Sequence, residues 1–276
     1  KQKTAYEIMP SLVGSEMCIR DRYKNFGINI LHTGGETADV GDLVRTIIVD
    51  TTVVARMKRN QVINNGNIKD GNVIIGLSSF GKCSYEKEYN SGIGSNGLTS
   101  ARHDVFDKSI AEKYPETYDS LVNSDFTYSG SKKLTEKFQD YDFGKLILSP
   151  TRTYAPILKE IFKNHLDKID GIIHCTGGGQ TKVLHFVENL HIIKDKMFEI
   201  PPVFKLIQQE SVTEWREMFK VFNMGHRMEI YIDEKYADSI IKISKSFDVE
   251  AKVIGRVEKA KSKKLTISTK FGSHIY

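Results

Sequence analysis

The sequence predicts an α/β or α+β fold, because strand-like and helix-like segments are interleaved along most of the chain. Apolar, β-branched runs at 72–77 (NVIIGL) and 171–176 (GIIHCT) predict strands. Between them, apolar side chains recur at helical spacing, with Ile157, Ile161 and Leu166 on one face of a predicted helix. We find no internal repeat of the length that solenoid proteins show.

The same patterns predict the other elements in order. A turn-rich segment, 64–71, predicts a domain boundary, and the polar stretch 116–143 reads as an irregular excursion. The predicted strands are 27–33, 44–57, 145–149, 228–232 and 251–258, and the predicted helices are 98–114, 181–190, 203–209, 213–222 and 237–247.

The composition is that of a globular protein. The chain has 276 residues, of which 39% are apolar and 27% charged, so neither a disordered nor a collagen-like chain is indicated. The net charge of +5 suits anionic small molecules as well as nucleic acid. The basic cluster at 259–264 lacks interleaved aromatic residues, which disfavours a nucleic-acid module.

The cysteines and the apolar runs indicate where the protein works. Three cysteines without a CxxC pair argue against a disulfide framework or a zinc site, and indicate a reducing, cytoplasmic setting. The longest apolar stretch, 46–55, is interrupted by Asp50 and falls short of the ~20 residues of a membrane span. We therefore expect no membrane partner.

The first 22 residues stand apart from the rest. Residues 1–22 show no periodicity, and PSLVGSEMCIRDR looks like translated sequencing-adapter read-through. We predict that this leader is non-native or disordered. The alternative is a genuine flexible arm.

Three glycine-rich turns follow predicted strands and are candidate anion sites, because exposed backbone amides can bind phosphate. They lie at Gly34-Gly35, at 94–97 and at 177–179. Ser95-Asn96, read as a helix N-cap, is the strongest, since the helix dipole also favours an anion there. The alternative is that each turn serves chain geometry alone.

Several polar side chains are further candidates. Glu36 and Asp39 follow the first glycine pair and are possible Mg²⁺ ligands, or plain solvated acids. Arg152 lies at the start of a predicted helix and is a candidate to bind a carboxylate or phosphate. The alternative is a surface ion pair. His174, His185 and His226 are candidate general acids or bases, with a hydrogen-bonded structural role as the alternative. Cys175 matches no nucleophile motif, and we interpret it as a packed thiol.

Eight ordered motifs between 23 and 257 together resemble one family, the aminoimidazole ribonucleotide synthetases, or phosphoribosylformylglycinamidine cyclo-ligases. PPVFKLIQ and FNMG distinguish it from related ATP-dependent synthetases. The motifs are GGETAD, NIKDGNVIIGLSS, SNGLTSAR, LSPTRTYAP, HCTGGGQTKVLHFV, PPVFKLIQ, MFKVFNMGHRM and KVIGRVE.

The resemblance implies an ATP-dependent ring closure in purine biosynthesis, with formylglycinamidine ribonucleotide as the substrate and ATP and Mg²⁺ as cofactors. It implies a homodimer, and a remnant of an N-terminal β-rich, ATP-binding domain (23–68) followed by a C-terminal mixed-sheet domain with flanking helices (69–276). The implied site residues are Glu36 and Arg152 for catalysis; Glu36 for the metal; Gly34, Gly35, Glu36, Thr37, Ser95, Asn96 and Gly97 for the nucleotide; and Ser78, Ser79, Thr176, Gly177, Gly178 and Gly179 for the substrate.

Two features depart from the family pattern. Residues 82–94 are an insertion, and Gly94 stands where the common loop SSGxHSNG has a histidine; His103 is the candidate replacement. A DGxGTK loop, which helps to hold ATP in the family, is absent, so we expect this chain to be inactive alone. The alternatives are another ATP-dependent synthetase of the superfamily, or a non-catalytic fragment that binds phosphate.

Overall fold

A computed structural model describes residues 23–31, 33–35, 51–138 and 140–276. Seven of the strands in these ranges form one mixed sheet in the order β4-β6-β1-β7-β5-β8-β9, and β2 and β3 form a separate hairpin. The strands are β1 (Asn72–Ser78), β2 (Lys137–Phe138), β3 (Tyr141–Asp142), β4 (Ile169–His174), β5 (Leu190–Lys194), β6 (His226–Asp233), β7 (Ala251–Lys259), β8 (Lys264–Thr269) and β9 (Gly272–Ile275).

The large sheet is antiparallel except between β5 and β8. The α-helices are α1 (Leu98–Val105), α2 (Ser109–Lys113), α3 (Phe143–Ile147), α4 (Ala155–His165), α5 (Pro202–Ser211), α6 (Trp215–Val221) and α7 (Ala237–Lys245). No helix in the described part of the chain is long and apolar enough to cross a membrane.

Helices cover both faces of the sheet, and β1 lies inside it between β6 and β7. All seven residues of β1 are buried, as expected for a strand that packs on two sides. Ile75 and Leu77 face α4 and α7 in one apolar cluster, whereas Ile74 faces the cluster that includes α1, α5 and α6. The predicted mixed-sheet fold with flanking helices is therefore confirmed.

Two element predictions between residues 98 and 149 were wrong. The stretch 145–149 was predicted as a strand but belongs largely to α3, because Phe143, Leu146 and Ile147 at helical spacing share one buried face. The predicted helix 98–114 is two helices, α1 and α2, separated where Phe106 forms a β-bridge with Lys132.

The region after β4 also differs from its prediction. Residues Gly179–His185 form a 3₁₀ helix in place of a longer α-helix, and the predicted helix gives way to β5. The patterns did not predict β5, β8 or β9, whose short alternating runs are weak signals.

The two predicted N-terminal strands are not observed where the chain is described. Residues 28–31 and 51–57 lie outside any strand, and 51–57 are exposed to solvent. A strand needs a hydrogen-bonded neighbour, and no strand among the described residues pairs with either segment. Residues 36–50, and with them the rest of the second predicted strand, lie outside the described residues, as does the leader 1–22.

A fully buried charge network ties the sheet to the 3₁₀ helix. Lys194 on β5 donates hydrogen bonds to Glu229 on β6 and to both the backbone and side-chain oxygens of Gln180. Glu229 also accepts from Tyr231, at 2.7 Å, and contacts Nε2 of His226 at 2.9 Å. Burial alone would raise the pKa of Glu229, but Lys194 and His226 lower it to about 2.

This network predicts a pH-dependent stability. Since the folded-state pKa of Glu229 is depressed, its contribution is complete above the unfolded-state pKa and is lost as the pH falls towards 2. We expect Glu229 to account for about 3 kcal/mol of the fall in unfolding free energy between pH 5 and pH 2. Denaturant titrations of wild type and Glu229→Gln measure this slope.

The matched control is Glu258→Gln, which removes an exposed carboxylate paired with Arg256. We expect the control to keep the wild-type slope and Glu229→Gln to flatten it. An unchanged slope in Glu229→Gln would show that the network does not hold the carboxylate charged.

Candidate functional site

A cleft opens at the edge of the sheet where β1 and β4 end and β6 begins. Loops from five parts of the chain meet there, because antiparallel β6 starts beside the end of β4. The lining residues are Gly94, Ser95, Asn96, Thr151, Cys175, Thr176, Val221, Phe222, Asn223 and Arg227.

One wall of the cleft is the turn that begins α1. Leu98 N–H donates to Ser95 O at 3.1 Å, and the N-cap residue is Gly97, at φ +74° and without a side-chain cap. The N-cap was predicted at Ser95-Asn96 but lies further along the chain. This position requires a left-handed backbone conformation, which glycine adopts without strain. A Cβ on Gly97 would also lie 2.6 Å from a ring carbon of Phe222.

Cys175 and Thr176 line the opposite wall, and the triple-glycine turn follows them directly. Gly178 and Gly179 both have positive φ, and a Cβ on Gly179 would lie 2.6 Å from Phe219 O. A Cβ on Gly177 would lie 3.3 Å from the side-chain nitrogen of Asn96, so the two predicted glycine turns meet across the cleft. Lys182 Nζ donates to Thr176 Oγ1 at 2.9 Å, which brings a positive charge to this wall.

Asn223 holds the floor together. Its Oδ1 accepts from Ser79 Oγ at 2.7 Å and from Gly225 N–H at 3.1 Å, and its Nδ2 donates to Gly92 O at 2.8 Å. Ser78 Oγ donates to Phe80 O at 3.1 Å. Ser78 and Ser79 were predicted to bind substrate. Their hydroxyl groups donate hydrogen bonds within the protein and so shape the floor of the cleft.

Arg152, predicted to be catalytic, is buried behind the cleft. Its five N–H groups donate to both carboxylate oxygens of Glu86 and to the carbonyl oxygens of Ser78, Phe80 and Gly81. All five N–H groups are thus engaged within the protein, and the alternative of an ion pair is present with Glu86, buried instead of on the surface. The catalytic role of Arg152 stays a prediction. Arg152 fixes the loop after β1, and its neighbour Thr151 lines the cleft.

The first predicted glycine turn is not at the cleft. Gly34 and Gly35 are exposed, and neither belongs to the lining. Glu36, Thr37 and Asp39 lie outside the described residues. The sites predicted for Mg²⁺ and for part of the nucleotide therefore stay predictions.

None of the three histidines His174, His185 and His103 lines the cleft. Burial, with the nearby charges of Arg227 and Lys182, lowers the pKa of His174 to about 4, although the residue keeps solvent contact. His185 is exposed. His103 does not replace the missing histidine: its Nδ1 accepts from Tyr128 N–H at 3.1 Å, and it is not among the cleft-lining residues.

One buried cluster has the composition of a soft-metal site but is already occupied by a cation. The donor atoms of Cys175, His226 and Glu229 lie within 4.8 Å of one another. Lys194 donates to the same carboxylate oxygen as His226, so its ammonium stands beside these donors. Mg²⁺ prefers a full set of oxygen ligands, which this cluster does not offer. Cys175 is a buried thiol with a raised pKa, as its packed alternative predicted.

The electrostatics of the cleft favour an anion. Its lining contains no aspartate or glutamate but includes Arg227, and Lys182 stands beside Thr176. The start of α1, which has no side-chain cap, adds the positive end of a helix dipole. Sequence reasoning quoted Arg227 only as part of the motif MFKVFNMGHRM and assigned it no role, although its place in that motif was the available signal.

The chain belongs to a known enzyme family, as its similarity to a family model and to curated relatives shows. The model of the family "AIR synthase related protein, C-terminal domain" matches residues 69–268. The phosphoribosylformylglycinamidine cyclo-ligase of Methanocaldococcus jannaschii is 32% identical over 234 residues, which are 85% of this chain and 57% of the relative. That of Methanococcus vannielii is 33% identical over 241 residues, or 87% and 59% of the two chains.

The chain thus spans 57% to 59% of the length of these relatives. Among solved structures, Thermotoga maritima PurL complexed with FGAR superposes with a TM-score of 0.42 and 12% identity, over 78% of this chain and 28% of that one.

The cleft geometry predicts that Gly97→Val abolishes phosphate binding. A valine would strain φ +74° and push against Phe222, so the first-turn amides would move. We expect affinity for inorganic phosphate, measured by calorimetry, to fall at least about tenfold, the loss of one or two hydrogen bonds to a charged group.

The control is Gly71→Val, at φ +85° with nothing within 4 Å of its Cβ position, which carries similar backbone strain away from the cleft. Equal affinities in the two variants would mean that phosphate does not bind at the α1 turn.

Proposed function

We propose that this chain carries the substrate-binding part of an enzyme that closes the imidazole ring of formylglycinamidine ribonucleotide at the expense of ATP. The products are aminoimidazole ribonucleotide, ADP and phosphate. The observation that carries the proposal is the alignment of 85% of the chain with a cyclo-ligase at 32% identity, within a family whose domain model it matches. A cleft whose lining holds an arginine and no carboxylate supports it.

The chemistry requires positioning more than reactive side chains. When ATP phosphorylates the formamide oxygen, that oxygen becomes a leaving group, and ring closure expels it as phosphate. Charge moves between oxygens throughout, so amide dipoles and cations that are already oriented stabilise the transition state. The start of α1 and Thr176 with the 177–179 turn would orient phosphate-bearing ligands in this way.

ATP and Mg²⁺ are proposed as cofactors and fit the site only in part. The phosphates fit the amides of Ser95, Asn96 and Gly97, because these residues open α1 without a side-chain cap. The described lining offers Mg²⁺ no carboxylate. We therefore keep Glu36 as its proposed ligand, beside Gly34, Gly35 and Thr37.

The division of the chain is also a proposal. Residues 23–68 would belong to an ATP-binding domain and 69–276 to the domain described above, and the family match beginning at residue 69 supports that boundary. Because the chain covers 57% of the first relative, we propose that turnover needs the remaining part of such a protein. A homodimer in the cytoplasm is proposed on the family resemblance alone.

The test is product formation by this chain alone and by the same chain joined to the N-terminal part of the Methanocaldococcus jannaschii relative. We expect aminoimidazole ribonucleotide only from the joined protein, because half of a positioning site cannot orient both reactants. Turnover by residues 23–276 alone would contradict the requirement for a second part.

Two other outcomes would favour the alternatives. ATP hydrolysis that depends on a different amide or acid would indicate another synthetase of the superfamily. Phosphate binding without turnover in any joined form would indicate a non-catalytic fragment.

A second prediction concerns Glu36. In the joined protein, Glu36→Gln keeps the shape of the side chain but removes a hard ligand for Mg²⁺, so the rate should fall by about two or more orders of magnitude with the fold intact. The exposed Glu234→Gln is the control. Near-normal rates at limiting Mg²⁺ would rule out the metal role.

A further inference from the structure

We propose that Arg227 is the cation that binds a phosphate dianion in the cleft, and that Gly94 lets the guanidinium lie close against the turn that begins α1. The inference rests on the proposed function for the identity of the ligand, a ribonucleotide phosphate. Its structural basis is independent of that identity.

Arg227 is almost completely enclosed, at 1% exposure, but lacks a counter-ion. Its Nη2 donates to Gly92 O at 2.9 Å and to Ile93 O at 2.7 Å, both neutral carbonyl oxygens. Nη1 has no hydrogen-bond partner. Among the ion pairs in the described ranges, none involves Arg227.

The contrast with the other enclosed cations makes this unusual. Arg152 has two carboxylate oxygens and three carbonyls for its five N–H groups, and Lys194 is paired with Glu229. A buried charge without a partner is costly, because desolvation is not offset by attraction. A guanidinium does not lose its proton in a protein, so only an incoming anion can neutralise Arg227.

Gly94 fixes where that charge stands. A Cβ on Gly94 would lie 3.0 Å from Nη2 of Arg227 and 3.3 Å from its Cζ, so the side chain of any other residue would press on the guanidinium. Gly94 immediately precedes Ser95 and the turn that begins α1. The charge therefore lies against the same turn whose amides face the cleft.

The surrounding groups select a phosphate. The planar guanidinium and the first amides of α1 are suited to phosphate oxygens, and the Lys182 ammonium lies beside Thr176 on the facing wall. No carboxylate in the lining opposes a second negative charge.

The experiment is calorimetric titration of the 276-residue chain with inorganic phosphate, ribose 5-phosphate and ribose. We expect both phosphates to bind and ribose not to bind. Tighter binding of ribose 5-phosphate than of inorganic phosphate would identify the ligand as a sugar phosphate ester, and the reverse order would identify it as free or transferred phosphate.

The variants separate charge from fold. Arg227→Met should weaken phosphate binding about 30-fold, and Arg227→Lys, which keeps the charge without the fork, about fivefold. Gly94→Ala should also weaken it, by about fivefold, with the charge retained. The control Arg256→Met, at a half-exposed ion pair elsewhere on the sheet, should remain within about twofold.

Thermal stability distinguishes a binding arginine from a structural one. Replacing a purely structural arginine would lower the thermal midpoint even without phosphate. Without phosphate, Arg227→Met removes an uncompensated charge but also the hydrogen bonds to Gly92 O and Ile93 O, so we expect the thermal midpoint to change little. With saturating phosphate, wild type should gain midpoint and Arg227→Met should not. A clear loss of midpoint without phosphate would assign Arg227 to structure and overturn the inference.

Failure of this inference is distinguishable from failure of the proposed function. Wild-type phosphate affinity in a folded Arg227→Lys and Gly94→Ala would overturn the role of Arg227, even if the joined protein makes aminoimidazole ribonucleotide. Arg227-dependent phosphate binding would uphold it, even if that product never forms.

Discussion

Buried positive charge is the constraint on which this structure depends. Three cations lie inside the described part of the molecule, and each needs a compensating partner. Arg152 meets Glu86 and three carbonyl oxygens, which fixes the loop after the central strand. Lys194 meets Glu229, which joins two strands of the sheet to the 3₁₀ helix. Arg227 meets only carbonyls, and the cleft forms around it.

Backbone geometry then brings the loops close enough to form a binding surface. Gly97 and Gly179 pack where a Cβ would touch Phe222 or the backbone of Phe219, so the turns approach more closely than other residues allow. Asn223 joins the loop before α1 to the segment before β6 through its amide. Amides, a hydroxyl and a guanidinium are thus held on rigid elements, as pre-organised anion binding requires.

The sequence predicted the parts of the fold that have strong local signals. The buried strand at 72–77 and the amphipathic helix at 155–165 were read from periodicity, whereas KLILS could not be distinguished from a strand because five apolar-rich residues fit both periods. The glycine turns of the cleft were found, since glycine marks special geometry. The sequence did not predict that Arg227 lacks a counter-ion or that Arg152 is paired with Glu86. Such pairing depends on residues far away in the chain.

The central claim is that the uncompensated charge of Arg227 receives a phosphate-like dianion. Anomalous diffraction from crystals of the chain soaked in selenate, a phosphate mimic, tests it most directly. The account predicts a selenium peak within hydrogen-bonding distance of the Arg227 guanidinium and of the amides that begin α1. Selenate found only beside surface lysines, with Arg227 still unpaired, would contradict it.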